Sequence, residues 1–262
     1  MKSRPVTHHA LSRRRFLFAL GLCVFGREKA SFAMGQSGAF LARRLITGRK
    51  PTISDRDSGL VRWGTELVRR TSAPARSSIR IVHADSPEVL DEPFLIWAGA
   101  GEIEPLLPSE LRGLEAFLRL GGVLVVDDSN PESGHFERSV RRELRRVVPD
   151  SSFTKLEPTH VIFKTFYWIQ RARGRLLGPE RIDAIVRGSM AQVLFLSCDL
   201  LGALASNPDG SYRFETEPRD ARQRELAMRF AVNIAMYVLC SDYKDDQVHA
   251  PFLMRRRPRW QP

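Results

Sequence analysis

The stretch GGVLVVDDSNPESGHF, Gly121 to Phe136, decides how the chain is read. An apolar run, Val123 to Val126, ends abruptly in two carboxylates, Asp127 and Asp128, and then in a turn-rich loop. A continuous apolar run bounded by turn residues is the pattern of a strand buried on both faces, as in a parallel sheet. On its amino side lies PSELRGLEAFLRLGG. There Leu111, Leu114 and Leu118 recur at helical spacing, and Gly121 is placed to end the helix. On its carboxyl side lies HFERSVRRELRRVVP. Phe136, Val140, Leu144 and Val147 form one stripe there, arginines occupy the rest, and Pro149 follows.

The same alternation extends outward. A helix is expected over about Asp57–Arg70, with Leu60, Trp63, Leu67 and Val68 apolar. Strands are expected at IRIVHAD (Ile79–Asp85) and PFLIWAGAG (Pro93–Gly101). RIDAIVRG (Arg181–Gly188) and AQVLFLSCD (Ala191–Asp199) are close enough to form a hairpin. FTKLEPTHVIFKTFYWIQ (Phe153–Gln170) is aromatic, β-prone and interrupted by Pro158, and reads as an excursion beside the sheet. A final helix runs from about Arg219 to Leu239, with Leu226, Phe230, Ile234 and Tyr237 on its buried side. Strands alternating with helices predict an α/β fold with a mostly parallel sheet, helices on both faces and a β-hairpin excursion.

The 262 residues suffice for a buried core, and 43% hydrophobic with 27% charged residues is an ordinary globular composition. The net charge of +11 is concentrated at the ends. Residues 1–33 carry seven basic side chains against one acid, and Arg255, Arg256, Arg257 and Arg259 crowd the other end. The body between is close to neutral, which argues against nucleic acid as a partner.

SRRRFLFALGLCVF, from Ser12, places a basic stretch before an apolar core, Phe16–Phe25, with Ser31 and Ala33 as small residues before a cut. That is the layout of a signal peptide. Its core is too short to span about 30 Å of hydrocarbon as an ordinary helix. Arg13, Arg14, Phe16 and Leu17 resemble the twin-arginine export motif. The expected organisation is a signal over 1–33, a linker over 34–55, an α/β domain over 56–242, and a strap with a basic tail over 243–262. The mature chain is expected in the periplasm or otherwise exported, without a transmembrane segment. The kind of partner expected is another envelope protein. Of the two remaining cysteines, Cys198 and Cys240, both sit in apolar surroundings and read as buried free thiols.

IWAGAGEIEPLLPSELRGLEAFLRLGGVLVVDD, the arginine-rich helix after it, VLFLSCDLLGAL and FAVNIAMYVLCSDYKDDQVHAPFLMRRR resemble, in that order, the bacterial domain of unknown function DUF4159. The resemblance covers about Leu60 to Arg257. It implies a flavodoxin-like fold similar to that of class I glutamine amidotransferases, and no established activity. The amidotransferase pattern needs a cysteine on a sharp strand-to-helix turn. The turn after Val126 reads Asp127-Asp128-Ser129-Asn130 instead, and Cys198 lacks the glycines of such a turn.

Three expected strand ends carry polar residues: His83 and Asp85; Asp127 and Asp128; Ser197 and Asp199. His135 lies in the loop after the aspartates. In an open sheet such ends face a common crevice. Asp127, Asp199 and His135 are the candidate catalytic set, and His83, Asp85 and Asp128 the candidate ligand-binding set. Carboxylates and imidazoles brought together there would hold a divalent ion or divide acid–base work. Asp128, Ser129 and Ser133 suit turn and cap bonds equally well. No zinc signature is present, and the sequence identifies neither a metal nor a cofactor. Three function classes follow: a non-catalytic binding or assembly domain, a hydrolase using these carboxylates, and a carbohydrate binder using Phe163, Tyr167 and Trp168.

Overall fold

The computed structural model describes residues 38–48 and 54–254, with side chains up to Ser241. The expected signal segment, residues 49–53 and the basic tail from Arg255 lie outside the described residues.

Seven strands form one sheet. In chain order the elements are β1 (Arg44–Ile46), α1 (Ser58–Arg70), β2 (Ile81–His83), β3 (Phe94–Gly99), α2 (Pro108–Arg119), β4 (Val123–Asp128), α3 (His135–Val147), β5 (Phe153–Leu156), β6 (Ile182–Arg187), β7 (Met190–Leu196), α4 (Leu200–Leu204) and α5 (Ala221–Met254). Short 3-10 turns occupy Pro87–Leu90 and Val161–Phe163. The strand order is β2-β1-β3-β4-β7-β6-β5. The pairs from β2 across to β7 are parallel, and β7–β6 and β6–β5 are antiparallel. This is a flavodoxin-like α/β architecture, and its opening order 2-1-3-4 puts the topological switch point between β1 and β3.

Alternation along the strands sorts side chains onto two faces. On one face Phe94, Ile96, Val123, Val125, Leu194 and Leu196 meet Trp63 and Leu67 of α1, α4, and Phe230 and Ile234 of α5. On the other, Leu95, Trp97, Leu124, Val126, Val193 and Phe195 meet Phe117 of α2 and the Phe136–Val140–Leu144–Val147 stripe of α3. Trp63 is fully buried and its indole N–H donates to the Ala231 carbonyl at 2.8 Å, tying α1 to α5. Gly121 ends α2 with φ +92°, the left-handed region that costs glycine little.

Two elements differ from the sequence expectation. β1 lies inside the stretch read as a linker. It was hidden because its neighbourhood is arginine-rich, yet both arginines are buried. Arg43 donates to the Glu88, Val89 and Glu92 carbonyls. Arg44 pairs with Asp57 at 2.5 and 3.0 Å. At the other end α5 continues past Leu239 to Met254, where a strap was expected. No Gly or Pro interrupts residues 240–250, so nothing in the chain stops the helix there. In the aromatic excursion only Phe153–Leu156 is a strand.

Candidate functional site

The strand ends do form a polar crown, but period-two alternation divides it. Asp127 and Asp128 are consecutive, so their side chains leave β4 on opposite faces of the sheet. Asp127 joins Asp199 on the α1–α4–α5 face. Asp128 joins Ser197 and Glu137 on the α2–α3 face.

Asp127 is fully buried. Its two oxygens accept the backbone N–H groups of Leu200 and Leu201, each at 2.8 Å. It thereby satisfies the opening amides of the five-residue α4. Asp199, also fully buried, sits at φ +50°, ψ +58° and caps the same helix through Gly202 N–H at 3.1 Å. A Cβ on Gly202 would fall 2.4 Å from either Asp199 oxygen, so the cap requires glycine there. Two guanidinium groups close on this carboxylate. Arg56 donates through Nε at 2.8 Å and Nη2 at 3.0 Å, and Arg175 through Nε at 2.5 Å. Arg175 also donates its backbone N–H to the Asp199 carbonyl, so the loop is held at both levels. Burial, then the Asp199 charge, pushes the Asp127 carboxyl up to about 7, against the pull of the Leu201 and Leu200 amides and Arg56.

Asp128 is 1% exposed and accepts Asn130 N–H at 2.8 Å, a local turn bond. Burial, more than any opposing bond, raises its carboxyl. Ser197 donates to Glu137 at 2.8 Å beside it. His135, the first residue of α3, has its ring Nδ1 3.2 Å from Arg138 and is exposed. Its bonds run to Arg138 and, through its backbone N–H, to Ser133, rather than to either buried aspartate.

His83 and Asp85 lie at the β2 edge, three strands from β4, which at about 4.8 Å per strand is roughly 14 Å away. His83 Nδ1 is 2.6 Å from Asp85 and Nε2 is 2.7 Å from the Gly48 carbonyl. A carbonyl can only accept, and Asp85 as a carboxylate can only accept, so both ring nitrogens are called on to donate. Burial works to lower the His83 pKa, but the Gly48 carbonyl, Asp85 and Glu110 together hold it above its ordinary value. The imidazolium pins the loop after β1 to β2.

Of the six candidates, the structure thus unites Asp127 with Asp199, and His83 with Asp85, and leaves Asp128 and His135 apart from both pairs. Among the described residues no three His, Cys, Asp or Glu side chains are grouped so as to hold a metal ion. Cys198 is buried at the end of β7, and its thiol is pushed well above its ordinary value by burial, Asp127 and Asp199. That is the opposite of an activated nucleophile. Cys240 is exposed rather than buried, and the two cysteines are unbridged.

Sequence reasoning missed Arg56 and Arg175. The signal was indirect: two buried carboxylates need cations, but Arg56 is 143 positions from Asp199, and a chain with 41 basic residues offers too many choices.

At the switch point a cavity of about 660 Å³ opens over the ends of β1 and β3. Ile46, Thr47, Asp55, Trp97, Gly101 and Phe136 are among its walls. Trp97 and Phe136 meet edge to face, with ring centres 6.4 Å apart.

A family model for a domain of unknown function, DUF4159, matches residues 42–239. The chain belongs to this family. In this DUF4159 member the matched segment begins just ahead of β1 and ends within α5, so it takes in the whole sheet, the Asp127–Asp199 pair and the His83–Asp85 pair. No curated protein matches the chain. Among the described residues no helix is long and apolar enough to cross a membrane.

Proposed function

We propose that this DUF4159 chain is an exported, non-catalytic binding or assembly domain that keeps an amidotransferase-like scaffold without its nucleophile. One observation carries the reading: the carboxylates best placed for chemistry are already spent. Asp127 has both oxygens on α4 amides, and Asp199 is held by Arg56, Arg175 and Gly202. A general base or nucleophile must reach the proton or atom it attacks. Neither group has an oxygen facing an open site. They act as the mortar of the β4–β7–α4 corner, and the switch-point cavity is the place a ligand would occupy by the general rule for open α/β sheets.

Two experiments test this. Ester, phosphoester and glycoside substrates should show no turnover that disappears in a folded Asp127→Asn variant; such a loss would overturn the non-catalytic reading. For export, cell fractionation should find the protein in the envelope, and a joint Arg13→Lys, Arg14→Lys change should retain it in the cytoplasm. Unchanged export of that variant would remove the twin-arginine route.

A further inference from the structure

The excursion between β5 and β6 meets the start of α5 at a second, smaller pocket of about 280 Å³. Trp168, Ile169, Gln170, Arg173, Arg222 and Leu226 line it. Ile169 is buried beneath it, whereas Trp168 is 86% exposed, the most open of the large apolar side chains described. Phe163 of the same excursion is buried and stacked on Phe230, so of the three aromatic residues expected to act together, Trp168 is the one left open to solvent.

The charged side chains that line the pocket are both arginines. Among the described residues neither Arg173 nor Arg222 forms an ion pair. Arg173 donates to the uncharged Gln223 side chain at 2.9 Å. The neighbouring Asp220 carboxylate accepts the backbone N–H of Arg222 at 2.8 Å. Burial and the like charges of Arg171 and Arg222 hold Arg173 below its ordinary value. Arg171, by contrast, is neutralised by Glu180. Two arginines lining one recess, neither of them paired with a carboxylate among the described residues, repel each other, and an entering anion would reduce that cost.

We propose that Trp168, Gln170, Arg173 and Arg222 form a pocket for a small organic anion, a carboxylate or phosphate carried on a flat apolar body. The guanidinium groups match the planar acceptor pairs of either anion, and the indole offers its face to the body. Gln170 supplies an uncharged donor and acceptor at the rim. The pocket shares no wall with the switch-point cavity and adds a second ligand site to the binding role. Turnover by the strand-end carboxylates would defeat that role, while a lack of anion binding would defeat this pocket alone.

Calorimetric titration of the full chain tests it, with benzoate, phenyl phosphate and the uncharged benzyl alcohol as probes. At least one anion should bind saturably at low salt, more weakly as salt rises. Benzyl alcohol should bind at least about tenfold more weakly, and Arg222→Gln or Arg173→Gln should each weaken the anion by about tenfold. Trp168→Ala should weaken it as well. Binding of benzoate alone or phenyl phosphate alone would support the carboxylate or the phosphate form respectively. Arg222 is exposed, so its variant should keep the thermal midpoint, and weaker binding by that folded variant traces the anion to the pocket rather than to the arginines of the tail. No saturable binding of either anion, equal binding of benzyl alcohol, or binding indifferent to Arg222→Gln would overturn the proposal.

Discussion

Replacing Asp127 by asparagine asks what the most deeply placed carboxyl of the sheet does. Its pKa is held at about 7 in the folded chain, against an ordinary value of 3.8. A raised carboxyl keeps its proton in the folded state where the unfolded chain has released it. Stability from this group is therefore fully present below about pH 4 and is lost as pH climbs through about 7. The slope is at most about 1.4 kcal/mol per pH unit, and integrating it between pH 5 and pH 7 gives a loss of about 2 kcal/mol. Asparagine cannot titrate, so the variant should lack this component. It should also lose about 1–3 kcal/mol at every pH, because its NH₂ must face one of the two α4 amides that Asp127 now satisfies. The assay is urea unfolding of both proteins from pH 5 to pH 8. Comparing the two cancels titrating groups remote from Asp127, His83 among them. The advantage of wild type over the variant should shrink by about 2 kcal/mol from pH 5 to pH 7. A constant difference, or one that grows with pH, would refute the reasoning and mean that the α4 amides and Arg56 outweigh burial.

Four further outcomes are expected. Arg175→Ala leaves the buried Asp199 with Arg56 as its one guanidinium partner, and should cost about 3 kcal/mol in urea unfolding; a change below about 1 kcal/mol would show the corner to be over-braced. Gly113→Ala should destabilise by about 1–3 kcal/mol despite alanine's better helix propensity, since the new Cβ would lie 1.9 Å from the Ala84 carbonyl oxygen; a rise in the thermal midpoint would contradict that packing. His83→Ala should cost more at pH 6 than at pH 9, because the contribution of a raised imidazole is complete below its unfolded pKa and fades as pH rises through the folded one; equal losses at both would show that the charge is not what pins the loop. Maleimide should modify Cys240 promptly and Cys198 only after unfolding, since one is exposed and the other buried with a raised thiol pKa; early labelling at Cys198, read by mass spectrometry, would contradict its burial.

The aspartate pair shows where reading stops. Period-two alternation in VLVVDD already forbids Asp127 and Asp128 from sharing one face, a consequence available without coordinates. What each would meet was not available. The partners of Asp127 are the amides of Leu200 and Leu201, 73 and 74 positions away, and they arrive because β7 lies beside β4. The same holds for Arg56, whose loop sits close to Asp199 only once α1 has packed on α4 and α5.

Unaided, the residues determined the α/β class, the two-sided burial of β3 and β4, the helix stripes and the β6–β7 hairpin, because each depends on local periodicity. Tertiary structure alone decided that β1 exists, that its arginines are buried against Asp57 and backbone carbonyls, and which amides and guanidinium groups Asp127 and Asp199 meet. The physical reason is common to all three. A charge can be taken out of water only if a distant partner compensates it, and which partner arrives depends on strand order, which no local pattern encodes.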